Sequence, residues 1–97
     1  MANYVTEAGN YNNISASTQI RNGPGQLLGI FVASASATPT IKVWDSLTAA
    51  TTILVNTFTP NAATFYPIPA VFNTGIFVTI SGTVDCTVMW SAISKNS

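Results

Sequence analysis

Apolar and polar side chains alternate with a period of two along almost the whole chain, and Gly, Pro, Asn and Ser interrupt the alternation every few residues. Neighbouring side chains in a strand point to opposite faces, so this period fits an extended chain with one buried face. It excludes an amphipathic helix, whose apolar residues recur every three or four positions. The alternation predicts strands at Ile14–Asn22, Gln26–Ser34, Thr40–Asp45, Thr51–Phe58, Phe65–Val71, Gly75–Ser81 and Cys86–Ile93. Gly23-Pro24-Gly25 reads as a turn, because glycine supplies positive φ and proline fixes φ and lacks a donor. Ser34–Pro39 reads as a loop, and Gly82–Asp85 as the turn of an antiparallel hairpin. Pro67 and Pro69 confine their strand to a sheet edge or an irregular crossing.

Seven to eight short strands in a chain of 97 residues predict an all-β fold: an antiparallel β-sandwich with jelly-roll or immunoglobulin-like connections, or a strongly bent barrel. Residues 1–13 show no strong alternation and read as an N-terminal arm with room for a short edge strand, leaving residues 14–97 as the β-sandwich domain. The longest apolar stretch, Leu27–Ala37, includes Ser34 and Ser36 and falls short of the roughly 20 residues of a membrane helix. The start, Met1-Ala2-Asn3-Tyr4-Val5-Thr6-Glu7, has neither the basic nor the apolar region of a secretory signal, so the expectation is synthesis in the cytoplasm without export.

The residues that catalysis usually needs are missing. The chain has no histidine, so neither the commonest zinc ligand nor the commonest general base is present. Lys42 and Lys95 are the only lysines that could activate a serine. Glu7, Asp45 and Asp85 are the only carboxylates, and each flanks a strand, where a turn or surface role suffices. Cys86 is in register with Val88 and Trp90, which places all three on the buried face of one strand. Gly23-Pro24-Gly25-Gln26-Leu27-Leu28-Gly29 has its last glycine one residue late for a dinucleotide loop and leads into a strand, so it is read as a turn. Asn13-Ile14-Ser15 matches the glycosylation pattern, and without an export signal it carries no meaning. Arg21, Lys42 and Lys95 are too few for nucleic-acid affinity, which rests on neutralised phosphates. The sequence therefore predicts no enzyme, no cofactor, no metal, no nucleic-acid partner and no membrane span.

Charged residues make up 6% of the chain, hydrophobic residues 47%, and the formal net charge is zero. Soluble domains average about a quarter charged residues, and a net charge of a few units keeps them apart. Such a chain is expected to live assembled. With Ile41, Val43, Ile76, Val78, Ile80, Cys86, Val88 and Trp90 facing inward, Trp44, Phe77, Met89 and Ile93 face outward. Leu27 and Phe31, opposite Leu28, Ile30 and Val32, join them, as do Leu54 and Phe58 if Ile53 and Val55 face in. With Tyr4 and Tyr11 of the arm, the expected interface is Tyr4, Tyr11, Leu27, Phe31, Trp44, Phe58, Phe77, Met89 and Ile93. Only Arg21, Lys42 and Lys95 could protect sheet edges and Pro67 and Pro69 block one strand, so the other edge is expected to be covered by a neighbouring chain.

Gly23-Pro24-Gly25-Gln26-Leu27-Leu28-Gly29-Ile30, Ile41-Lys42-Val43-Trp44-Asp45-Ser46, and the run from Thr74-Gly75-Ile76 through Gly82-Thr83-Val84-Asp85 to Met89-Trp90 resemble small β-sandwich virion proteins of tailed bacteriophages. These include capsid decoration or cement proteins and the head domains of short fibres. The likeness spans about Ile20–Ser91, rests on strand-and-turn spacing, and leaves the arm before Ile14 uncovered. It implies a structural subunit, often a homotrimer, that sits on the outer capsid surface of the virion, binds the major capsid protein and stabilises the shell. The alternative is a receptor- or glycan-binding β-sandwich module of a phage fibre or tail, using exposed aromatics such as Tyr66, Trp44 or Tyr11.

Overall fold

The computed structural model describes residues 9–49 and 52–92. Six strands and no helix are found there: β1 (Asn10–Ile14), β2 (Thr18–Asn22), β3 (Gly25–Trp44), β4 (Ile53–Phe58), β5 (Thr64–Phe72) and β6 (Gly75–Ala92). All pairings are antiparallel, so the expected all-β antiparallel class holds. The strands are fewer and longer than the alternation predicts.

The expected hairpin at Gly82–Asp85 does not form. Residues 75–92 run on as the single 18-residue strand β6, paired along its length with the 20-residue β3. The expected loop at Ser34–Pro39 is likewise part of a strand: Ser36 faces Thr83 and Thr40 faces Ser81, so the extra residues of β3 bulge opposite Gly82. Gly82 has φ +88°, and a Cβ there would lie 2.8 Å from the Cα of Pro39. Glycine therefore permits a bend with close backbone approach, where the sequence suggested a reversal. Alternation and glycine look alike in a turn and in a bent strand; only the equally long partner decides between them.

The bends divide the sheet into two halves. In the first, β1 pairs with the C-terminal part of β6, which pairs with the N-terminal part of β3, which pairs with β5. In the second, β2, the N-terminal part of β6, the C-terminal part of β3 and β4 follow in the same order. Short turns between β2 and β3 and between β5 and β6 also join the halves at their far ends. The two turns are tied by a hydrogen bond from the Gly23 N–H to the Thr74 carbonyl at 2.9 Å. The guanidinium of Arg21, in the second half, lies 5.5 Å from the ring centre of Trp90, in the first. Joined at the middle and at the ends, the sheet curls over itself, and one apolar core takes side chains from both halves. Its members include Ile14, Leu27, Ile30, Val32, Ile41, Val43, Phe72, Ile76, Val78, Val84, Cys86 and Val88.

Several details of the sequence reading change with register. The run Ile14–Asn22 is two strands, and β1 begins at Asn10, four residues inside the expected arm. Ile14 is buried but Ala16 is exposed. Pro67 and Pro69 do lie on an edge strand, since β5 pairs only with β3. Cys86 is buried as expected. Trp90 shares its face but is half-buried, at the rim of the core, and its indole N–H donates to the Asn12 side-chain oxygen at 3.0 Å.

Candidate functional site

The outer face of the first half-sheet is built by period-two placement on four strands. Cross-strand partners share a face, so the row Tyr11, Met89, Gly29 and Pro67 lies outward, and beside it the row Asn13, Thr87, Phe31 and Phe65. Phe31 is 39% exposed, Phe65 47%, Tyr11 74% and, at the far end of β5, Val71 61%. Gly29 has a local reason to be glycine: a Cβ there would stand 2.6 Å from the tip of the Phe65 ring, which lies over it. The missing side chain lets the tip of an edge aromatic reach over the neighbouring strand. Where β1, β6 and β3 meet, an open groove of about 320 Å³ is lined by Gly9, Asn10, Tyr11, Leu28, Thr87 and Met89.

Charge is nearly absent from this face. Asp85 is its one acidic or basic side chain among the described residues, and it accepts a hydrogen bond from the Asn13 amide at 2.8 Å. The same amide donates to the Cys86 carbonyl at 3.1 Å and to Thr87 Oγ1 at 3.3 Å, which fastens β1 to β6. Burial, and secondarily the Asp85 charge, push the Cys86 thiol up to about 11, so it is neutral and unreactive at ordinary pH. No group of three or more His, Cys, Asp or Glu able to hold a metal occurs among the described residues.

The expected interface residues divide as follows. Tyr11, Phe31 and Met89 come together on this face. Trp44 and Phe77 lie side by side on the outer face of the second half-sheet, both half-buried. The Trp44 indole N–H donates to Thr79 Oγ1 at 2.8 Å, and the Lys42 ammonium sits 4.3 Å from its ring centre. Leu27 is a correction: it is fully buried, because β3 bulges between Leu27 and Gly29 and the extra residue shifts the alternation by one. Phe58 is another. Register shifts in the β3–β4 pair set it opposite the buried Ile41, so it packs on the core while Ile53 is exposed. Tyr66, considered as an exposed aromatic, faces buried Ile30, meets Phe58 edge-on at 5.2 Å and accepts the Asn61 N–H at 2.8 Å. Tyr4 and Ile93 lie outside the described residues. Phe65 and Val71 also lie on this face and are not among the expected interface residues, although their alternation with Tyr66 and Ala70 carries the signal.

Comparison with protein-family models, curated proteins and solved structures finds no match for this chain.

Proposed function

We propose that this protein is a non-enzymatic structural subunit that works assembled, docking through the outer face of its first half-sheet. The observation that carries this reading is the gathering of Tyr11, Phe31, Phe65, Val71 and Met89 on one sheet face with a single carboxylate among them. Exposed aromatics and methionine with few charges are the composition of an interface centre. The kind of assembly rests on the sequence resemblance alone, which proposes the virion of a tailed bacteriophage. The protein is then a homo-oligomeric decoration or cement subunit that binds the major capsid protein on the outer surface and stabilises the shell.

The receptor- or glycan-binding alternative draws less support. Two of its three aromatics are already engaged, Trp44 by Lys42 and Thr79, Tyr66 by Phe58 and Asn61. The test is to add purified protein to phage shells stripped of their decoration and follow retention by sedimentation. Retention by the native protein and its loss in Phe31→Asp and Phe65→Asp, with strand content unchanged, is the expected outcome. Retention that ignores both substitutions, or binding on a glycan array with none to shells, refutes the reading.

A further inference from the structure

Asn22 is the only asparagine of the chain that a glycine follows. It is exposed, and it ends β2 where the chain enters the turn to β3. The backbone nitrogen after an asparagine can attack the asparagine side-chain carbonyl, and a following glycine puts no Cβ in the way. In the fold two contacts hold this reaction back. Asn22 pairs with Gly75, so its backbone is extended, which turns the Gly23 nitrogen away from the Asn22 side chain. The Gly23 N–H also donates to the Thr74 carbonyl at 2.9 Å, and that hydrogen bond retains the proton the attack must release. Asp45 fixes Thr74 in turn, accepting its N–H at 2.8 Å. Arg21 works the other way. Its guanidinium donates to the Pro24 carbonyl from Nη2 at 3.1 Å and Nε at 3.3 Å, a strap within the turn itself. It therefore stays beside Gly23 when the bond to Thr74 opens, and a cation there favours loss of the nitrogen's proton.

We propose that Asn22 is a site of spontaneous deamidation gated by the Gly23 to Thr74 latch: closed, the latch blocks the reaction, and each opening exposes the junction to it. In the first step the Gly23 nitrogen bonds to Asn22 Cγ and the bond from Cγ to the amide nitrogen breaks. Ammonia leaves, taking up the proton from the Gly23 nitrogen. Water then opens the resulting five-membered ring at either carbonyl, giving aspartate or isoaspartate. Both products carry a new carboxylate, so three acidic residues against three basic ones become four against three. Isoaspartate also adds one carbon to the main chain, which puts the Gly23 N–H out of register with the Thr74 carbonyl. The latch that held the junction closed is then lost. Because the reaction runs one way, the fraction converted accumulates with every opening of the far end of the curled sheet. Nothing in this chemistry depends on the docking role.

The experiment incubates the full chain in mildly alkaline buffer, native or unfolded in guanidinium chloride, and follows each asparagine by peptide mass mapping. In the unfolded chain Asn22 is expected to convert ahead of every other asparagine. In the native protein its conversion is expected to be about tenfold or more slower, because only the locally opened fraction reacts. Asp45→Asn, with its far-ultraviolet spectrum unchanged, loosens Thr74 and is expected to convert about fivefold or more faster than the native protein. If that variant does not fold, hydrogen exchange of the native protein decides. Low guanidinium concentrations that speed exchange of the Gly23 amide are expected to speed conversion of Asn22 by the same factor, and the purified isoaspartate form is expected to have lost protection at Gly23. Native conversion as fast as unfolded, a folded Asp45→Asn that converts at the native rate, conversion spread evenly over the asparagines of the unfolded chain, or conversion that ignores Gly23 exchange overturns the proposal.

Discussion

At Asp45 a carboxylate with 9% exposure accepts hydrogen bonds from three consecutive backbone N–H groups, those of Asn73, Thr74 and Gly75, at 2.8 to 3.4 Å. This single side chain holds the β5–β6 turn against the end of β3 and so clamps the two halves at their far end. Asp45→Asn keeps the volume but turns one acceptor oxygen into a donor facing donors. Leaving such buried groups unmatched costs about 1–3 kcal/mol each, and a loss of that size is expected in urea unfolding. Cys86 gives a pH-dependent prediction. Its thiol is held neutral in the fold up to about 11, against an ordinary value of 9.0, so the unfolded chain releases its proton first as pH rises. The unfolded state then binds fewer protons than the native state, and stability falls between about pH 9 and pH 11. Below pH 9 the contribution is constant. Cys86→Ala should flatten that part of the stability profile relative to the native protein, measured by denaturant midpoints across the range.

Among the elements, β3 and β6 decide the architecture, and Gly82 decides where they bend. Its positive φ and its approach to the Pro39 backbone leave no room for a side chain. Gly82→Val should therefore cost at least the roughly 1–3 kcal/mol of a residue held in an unfavourable backbone region. The check is a lowered melting temperature with strand content retained at low temperature. A substitution at the exposed Thr83 next to it, Thr83→Val, serves as control and should be near neutral. A neutral Gly82→Val would mean that the bend is not fixed at this residue. The bulges act in the same way on a smaller scale: the one at Leu28 turns Leu27 into the core and leaves Phe31 outside.

For the whole molecule, the near absence of charge left self-association as the expectation, and the curled sheet gives that expectation a surface. The arm expected at residues 1–13 is in its last four residues part of the fold. Asn10–Asn13 belong to β1, Asn12 accepts the Trp90 indole N–H, and Asn13 donates to Asp85, Cys86 and Thr87. Deleting residues 2–13 should therefore weaken the fold as well as any assembly. A loss of about 2 kcal/mol corresponds to roughly 8–16 °C for a domain of this size, read by thermal unfolding. An undiminished melting temperature would show that β1 is an accessory to the domain.

Local chemistry fixed what is local. Period-two alternation gave the all-β antiparallel class, Gly23-Pro24-Gly25 the turn and Pro67 and Pro69 the edge strand, and it set Phe31 and Met89 on an outer face. What the chain's own order could not specify was parity and partnership. A bulge of one residue moves every later side chain to the other face, which is why Leu27 and Phe58 were placed outside, and a bulge arises from the partner strand's register, not from the residues that bulge. Whether Gly82 reverses the chain or only bends it was decided in the same way, by a 20-residue β3 lying alongside β6 and pairing on both sides of the glycine.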